Sequence, residues 1–228
     1  MPAGAWIGQL WGWRASFWVV ALVGVAALAI LAAFVPRDQG RPAVAPLTQE
    51  LAALRRPQVW LGLGITVFGF AGVFALYTYI EPLLRQVTHM SDGWVTATLL
   101  LFGVGLAAGN LLGGRLADKG VMQALAGSIG ALLVTLALGR WAFGHAGVAM
   151  SYVVLLGTVA FATVAPMQLR VLQQAGAAGA NLASSLNISA FNLGNALGAW
   201  VGGLVLSHGF GLLSLGWAAA GLTAVGCC

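Results

Sequence analysis

Residues 95–142, VTATLLLFGVGLAAGNLLGGRLADKGVMQALAGSIGALLVTLALGRWA, set two membrane-length apolar stretches on either side of one charged turn, Arg115-Leu116-Ala117-Asp118-Lys119. A hydrocarbon core needs about 20 apolar residues per helix. Each flank supplies that length. The chain as a whole is 60% hydrophobic and 7% charged, with a mean hydropathy of +0.94, which leaves too few polar side chains to cover a water-soluble surface. This is an integral membrane protein.

Roughly seven such stretches follow from the same length criterion: 16–35, 59–80, 95–113, 121–142, 146–168, 180–206 and 210–226. Short alternating strands are absent, and the 33 glycines suit close helix packing, so the fold class is all-α, a helical membrane bundle. Met1 to Leu10 is apolar but too short to span, and no basic n-region or cleavage site marks it as a signal peptide. The charge of +5 and pI near 10.0 come from scattered basic residues without an aromatic platform, which excludes nucleic acid as a partner. Threading the loops alternately across the bilayer puts Arg37, Arg41, Arg55, Arg56, Arg115, Lys119 and Arg170 on one side and Arg14, Arg85 and Arg140 on the other. The richer side is cytoplasmic, and the C-terminus falls there too. His89, His145 and His208 fall opposite, too far from any Cys or carboxylate set for a metal site or a catalytic triad. No cofactor, metal or enzymatic activity is expected. The terminal Cys227 and Cys228 leave no disulfide framework.

Between Pro36 and Gln58 four prolines bracket a segment in which Leu47, Leu51 and Leu54 recur at helical spacing, a short amphipathic helix for the membrane surface. The chain therefore divides into 1–36, a linker 37–58, and a bundle 59–228 of six spans. Those six fall into two groups of three with opposite starting orientation, the pattern of an inverted transporter repeat, although no residue-level repeat is evident between them.

Three segments carry a resemblance. Gly4-Ala5-Trp6-Ile7-Gly8-Gln9-Leu10-Trp11-Gly12-Trp13-Arg14 through Trp18 resembles the end of the fifth and start of the sixth helix of the major facilitator superfamily, in its bacterial drug and sugar efflux branch. Gly114-Arg115-Leu116-Ala117-Asp118-Lys119-Gly120 is similar to that family's cytoplasmic motif between helices eight and nine, with Met122 and Gln123 where many relatives carry a basic pair. Asn181 to Gly203 resembles its eleventh helix. The resemblance implies an N-terminally truncated transporter covering helices six to twelve with a stub of five. It implies multi-pass insertion in a bacterial inner membrane, and small-molecule efflux by alternating access with protons as a coupling ion. The alternative is a truncated remnant or scaffold that does not transport.

Several residues are candidates for function. At 100° per residue Asn181, Ser184, Ser185, Asn192 and Asn195 share a face about 100° wide, with Asn187 off it. Amides facing lipid are costly, so this stripe faces either a substrate cavity or another helix through hydrogen bonds. Phe70, Phe74, Tyr77 and Glu81 share a face that suits apolar or cationic substrates, or else helix packing with Glu81 in the outer water. Gln168 joins the cavity candidates, and Pro166 near it can kink its helix into a gate. The triplets Gly105/Gly109/Gly113 and Gly194/Gly198/Gly202 read as packing seams. Arg115 is expected near a helix C-terminus and Asp118 as the cap of the next helix. The resemblance gives Arg115, Asp118 and Lys119 a gating role; positive-inside anchoring is the other reading. No acidic residue lies deep in a span, so Glu81 is the one ionisable candidate near the aromatic face.

Overall fold

The computed structural model describes residues 11–34 and 46–226. The stub before Trp11, the first part of the linker up to residue 45 and the two terminal cysteines lie outside them. Two units result, Met1–Val44 and Ala45–Cys228. Among the described residues the first holds one helix, α1 (Trp13–Phe34), apolar from Phe17 onward and with none of its 22 residues buried. Gly12, at φ +81°, turns the chain into it, and the Arg14 guanidinium lies over the Trp13 ring at 4.9 Å.

The second unit begins with the short α2 (Leu47–Ala53), where the amphipathic linker helix is expected. Its exit is tied to the next element by the Trp60 indole N–H, which donates to the Leu54 carbonyl at 2.8 Å. Pro57 then opens α3 (Pro57–Tyr77) at the position where its missing N–H costs nothing. Beyond it the chain continues as a short turn at Ile80–Pro82 and a π turn at Leu83–Val87, so the whole apolar span runs to Val87. The remaining helices are α4 (Asp92–Lys119), α5 (Val121–Ala142), α6 (Ala146–Ala162), α7 (Val164–Ala175), α8 (Ala180–Ser207) and α9 (Leu215–Val225).

Six helices among the described residues are long and apolar enough to cross a membrane, one fewer than the count of stretches. The seventh stretch is too short: Leu212–Val225 is a 3-10 turn followed by the 11-residue α9. It starts where Gly216 packs on the Leu136 carbonyl and Arg140, and by Gly226 it has reached Phe68 and Gly69, halfway along α3.

α6 and α7 form one 30-residue span interrupted at Thr163. Pro166 has no N–H to give the Ala162 carbonyl four residues back, which breaks the ladder there. The Thr163 hydroxyl turns back onto the preceding turn, donating to Ala160 O at 2.6 Å. The freed carbonyl side is covered by α4, whose Gly113 lies so close that an added Cβ would stand 2.5 Å from Ala162 O.

Two parallel, glycine-sealed pairs make the frame. On α4, Gly105, Gly109 and Gly113 lie on the carbonyls of Val154, Thr158 and Ala162 of α6 and its end. On α8, Gly194, Gly198 and Gly202 lie on those of Val67, Ala71 and Ala75 of α3. In both pairs the contact advances four residues on each helix per step, so the helices run side by side in constant register. The second helix of each three-helix group thus seals onto the first helix of the other group. The third helices are exchanged in the same way: α9 packs on α3 where Gly72 meets Thr223 and Ala219 O, and α5 packs on α6 where Tyr152 donates to Thr135 O at 3.0 Å. The repeat between the two groups that no residue alignment reveals is therefore present in where the glycines sit.

Side chains fill the spaces the glycine pairs leave. Leu76, Leu83, Leu84, Leu132, Leu136, Phe143, Leu156 and Leu215 are all under 2% exposed and form the main core of α3, α5, α6 and α9. A smaller cluster at the other end joins Val59, Leu63, Val171 and Ala183. The surface is apolar, with Trp60, Trp94, Trp141, Trp200 and Trp217 exposed near helix ends, as interfacial tryptophans are.

A polar network and an aromatic row across α3, α7 and α8

One end of the bundle carries Arg55, Arg56, Arg115, Lys119 and Arg170; the other carries Glu81, Arg85, His89, Asp92, Arg140, His145 and His208. At the basic end the Arg56 guanidinium donates to Gln174 O at 2.9 Å, placing a cation on the last turn of α7, where the helix dipole favours it. Arg115, Asp118 and Lys119 are exposed there, and no ion pair among the described residues involves them. The structure corrects two local expectations for this turn. α4 runs on to Lys119, so Arg115 stands one turn inside the helix and not at its end. Asp118 caps nothing: the N-cap of α5 is Gly120, without a side-chain hydrogen bond, because one extended residue suffices to reverse the chain. All three charges are left pointing away from the turn's own structure.

At the opposite end Glu81 leaves the aromatic face it shares by helical arithmetic. α3 stops at Tyr77, Tyr79 is non-helical at φ −108° and ψ 15°, and the displaced Glu81 accepts from Arg85 Nε at 2.8 Å. Arg85 also pairs with Asp92. Glu81 is thus an exposed member of a surface ion cluster. Among the described residues no group of His, Cys, Asp or Glu is placed to hold a metal ion.

Between these ends lies a chain of hydrogen bonds. Thr66 on α3 donates to Asn187 Oδ1 at 2.8 Å, Asn187 Nδ2 donates to Gln168 Oε1 at 2.6 Å, and Gln168 Nε2 donates to Ser184 Oγ at 2.8 Å. Thr66 and Asn187 are fully buried. Every donor finds an acceptor in one direction, which ties α7 to α3 and α8 just beyond the break at Thr163. Gln168, a cavity candidate by sequence, has both ends of its amide engaged in this network. Asn187, off the polar stripe by helical arithmetic, is its centre, because the buried side of α8 at this level faces Thr66 and Gln168.

The remaining candidates on α8 divide. Asn181, Ser185 and Asn192 are exposed; Ser185 donates to Asn181 O and one N–H of Asn192 to Ile188 O. Asn195 is different. Its Oδ1 is buried and has no hydrogen-bond partner.

Beside this stripe runs a row of rings. Phe191 of α8 meets Phe70 edge-on at 4.4 Å between centroids, Phe70 stacks on Phe74 at 6.4 Å, Phe74 meets Tyr77 at 5.6 Å, and Tyr77 stacks on Phe102 of α4 at 4.7 Å. Phe161 of α6 closes on Phe70 at 6.3 Å. Phe70 is buried, whereas Phe74, Tyr77, Phe161 and Phe191 are half-buried and keep part of their rings accessible. The structure therefore brings Phe70, Phe74 and Tyr77 together as their spacing predicts. It adds Phe102, Phe161 and Phe191, which no single-helix pattern could connect. Of the three, Phe102 packs against a glycine, Gly157.

Comparison with known proteins gives this arrangement its context. Residues 1–199 match the model of the Major Facilitator Superfamily. The chain is 46% identical to the inner membrane transport protein YdhP of Escherichia coli (strain K12) over 92% of its length and 54% of that protein's. It is 33% identical to a chloramphenicol resistance protein of Streptomyces lividans, over 99% of this chain and 58% of the relative. It is 29% identical to a probable sugar efflux transporter of Mannheimia succiniciproducens, over 99% and 56%. The chain spans about half the length of the curated relatives it matches. Helices of membrane length, paired in an inverted arrangement and matched by the family model over most of the sequence, mark this chain as a member of the Major Facilitator Superfamily.

Proposed function

We propose that this chain supplies the C-terminal part of a small-molecule efflux transporter of a bacterial inner membrane, working by alternating access. The observation that carries the reading is the exposure of Asn181, Ser185 and Asn192 on α8, while the glycine face of the same helix is sealed on α3. A membrane-length helix does not turn amides to hydrocarbon, so this face meets a polar cavity or a complementary half. Names of relatives support the direction, since one is a resistance protein and another an efflux transporter. The substrate surface then comprises Asn181, Ser185, Asn192 and Asn195 with the rings of Phe70, Phe74 and Tyr77. Gln168 acts behind it, positioning α7 and α8. The unpaired Arg115, Asp118 and Lys119 form the gating contact with another part of the transporter at the basic end, which is the cytoplasmic end in this reading and the end toward which α9 runs. Every charged side chain among the described residues of the six-helix unit sits at an end of the bundle, so a proton-coupling group belongs to the part of the transporter outside this chain.

The test is accumulation of labelled chloramphenicol and of a labelled sugar in an efflux-deficient strain. The strain produces a chimaera that joins this chain to the N-terminal half of YdhP. Export should exceed that of a strain without the chimaera for at least one probe. Asn192→Ala with Asn195→Ala should then lower export at least fivefold at equal membrane abundance, and Asp118→Ala should lower it for any exported probe alike. A chimaera that inserts and folds yet exports neither supports a non-transporting product and removes the proposal.

A further inference from the structure

We infer that the surface beside Asn195 binds an uncharged aromatic molecule bearing one hydrogen-bond donor, with the donor given to Asn195 Oδ1. The assignment rests on reading this face as a substrate surface and specifies what that surface selects.

The geometry begins with register. Each step of four residues along α8 matches a step of four along α3, from Gly194 beside Phe70 and Ala71 to Gly198 beside Ala71 and Ala75. Phe191 packs on Phe70, so Asn195, one turn further, stands at the level of Phe74. Its carbonyl oxygen is buried there without a partner on a residue that is itself half-buried, so a ligand reaches it once the amide turns outward about χ2. A buried acceptor left unsatisfied costs on the order of 1–3 kcal/mol, and the native exceptions call for an explanation. None of the neighbouring polar side chains reaches it: Gln168, Ser184, Asn187 and Thr66 are joined to one another, and one N–H of the Asn192 amide is turned back to Ile188 O. What the site lacks is an N–H or O–H.

The surroundings decide the rest of the ligand. Half-buried faces of Phe74, Tyr77 and Phe191 offer flat apolar surface that pairs with an aromatic ring in stacked or edge-on geometry. A cation would gain from those rings but would lack a counter-ion. The next carboxylate along the chain, Glu81, lies beyond the end of α3 and already pairs with Arg85. A polyhydroxylated sugar would bring several donors to a single free acceptor. One ring and one donor, with no charge, is the combination that leaves nothing unpaired.

The experiment uses the purified chain in lipid nanodiscs and four probes: 2-naphthylmethanol, its methyl ether, 2-naphthylmethyl-trimethylammonium and methyl glucoside. The alcohol should bind most tightly, and methylation, which removes the donor alone, should weaken it about five- to tenfold. In Asn195→Leu the alcohol and ether should bind equally. Asn195→Asp, which keeps an acceptor and adds a charge, should retain the preference for alcohol over ether and gain binding of the ammonium probe. This second variant tests the same oxygen if the leucine variant fails to fold, as read by its thermal unfolding. An alcohol-to-ether ratio near one in the parent chain, or the same ratio in Asn195→Leu, overturns the assignment. So does tighter binding of the ammonium probe or the glucoside, or no binding of any probe. These results leave the transport reading standing, because the accumulation assay decides that separately.

Discussion

Gly198→Val is expected to separate α8 from α3 and to destabilise the bundle by about 3 kcal/mol or more, the upper range for overpacking. An added Cβ at Gly198 would press on the Ala71 carbonyl and stand 2.8 Å from the Ala75 amide nitrogen. Both are backbone atoms of a helix whose other side is held by α9 and the main core, so no rotamer change relieves the clash. The helices must move apart, and the carbonyl contacts at Gly194 and Gly202 are lost with it. Gly64 on α3 makes the control, since a Cβ there meets nothing within 4 Å. Gly64→Ala should be neutral or stabilising by about 0.5–1 kcal/mol, because alanine loses less backbone entropy in a helix. Unfolding in mixed detergent micelles, with retention of helical signal as the readout, compares the two. If Gly64→Ala costs as much as Gly198→Val, close approach of the backbones is not what holds the pair.

The second large effect is expected at Asn187. Asn187→Leu removes the acceptor of Thr66 and the donor to Gln168 at a fully buried position. Thr66 retains the Gly62 carbonyl at 3.1 Å, but Gln168 Oε1 loses the donor that holds it. A loss of roughly 2 kcal/mol follows, within the range for stranding a buried polar group and above the average for a single hydrogen bond between membrane helices. The double variant Asn187→Leu with Gln168→Leu should recover about 1 kcal/mol of the summed single losses, because it strands no amide. Strict additivity in the same unfolding measurement would mean that the two amides are neighbours without being partners. The variants also separate structure from transport: the network sits behind the exposed stripe, so in the YdhP chimaera Asn187→Leu should lower abundance, whereas Asn192→Ala should lower export at unchanged abundance.

Both predictions rest on positions whose importance differs in how visible it is from sequence. The glycine triplets are legible because a four-residue period of the smallest side chain within an apolar span has few other uses. The network centre is not. Asn187 looks peripheral when α8 is treated as an isolated cylinder, since the polar residues at Asn181, Ser185, Asn192 and Asn195 define the polar face by majority. What makes Asn187 buried is α3 and α7, which supply Thr66 and Gln168 from positions 121 and 19 residues away. Glu81 is the converse case. Helical spacing carries it on from Phe70, Phe74 and Tyr77, but Pro82 and the π turn that follows take the carboxylate to the surface and to Arg85.

Composition and hydrophobic length by themselves determined that this chain is helical and lives in a bilayer. Backbone polar groups have no other partner in hydrocarbon, and 60% apolar composition leaves no other solvent. The charge distribution and glycine spacing determined where turns and seams fall. Tertiary structure alone decided which glycine triplet meets which helix, that the last apolar stretch ends halfway along α3, and that six aromatic rings from four helices form one row. It also decided that one asparagine oxygen, Asn195 Oδ1, lies buried without a donor. The physical reason is that periodicity reports only which residues of one helix share a face. What that face meets depends on the register between helices far apart in the chain, and here the register is set by the glycine contacts with the carbonyls of α3 and α6.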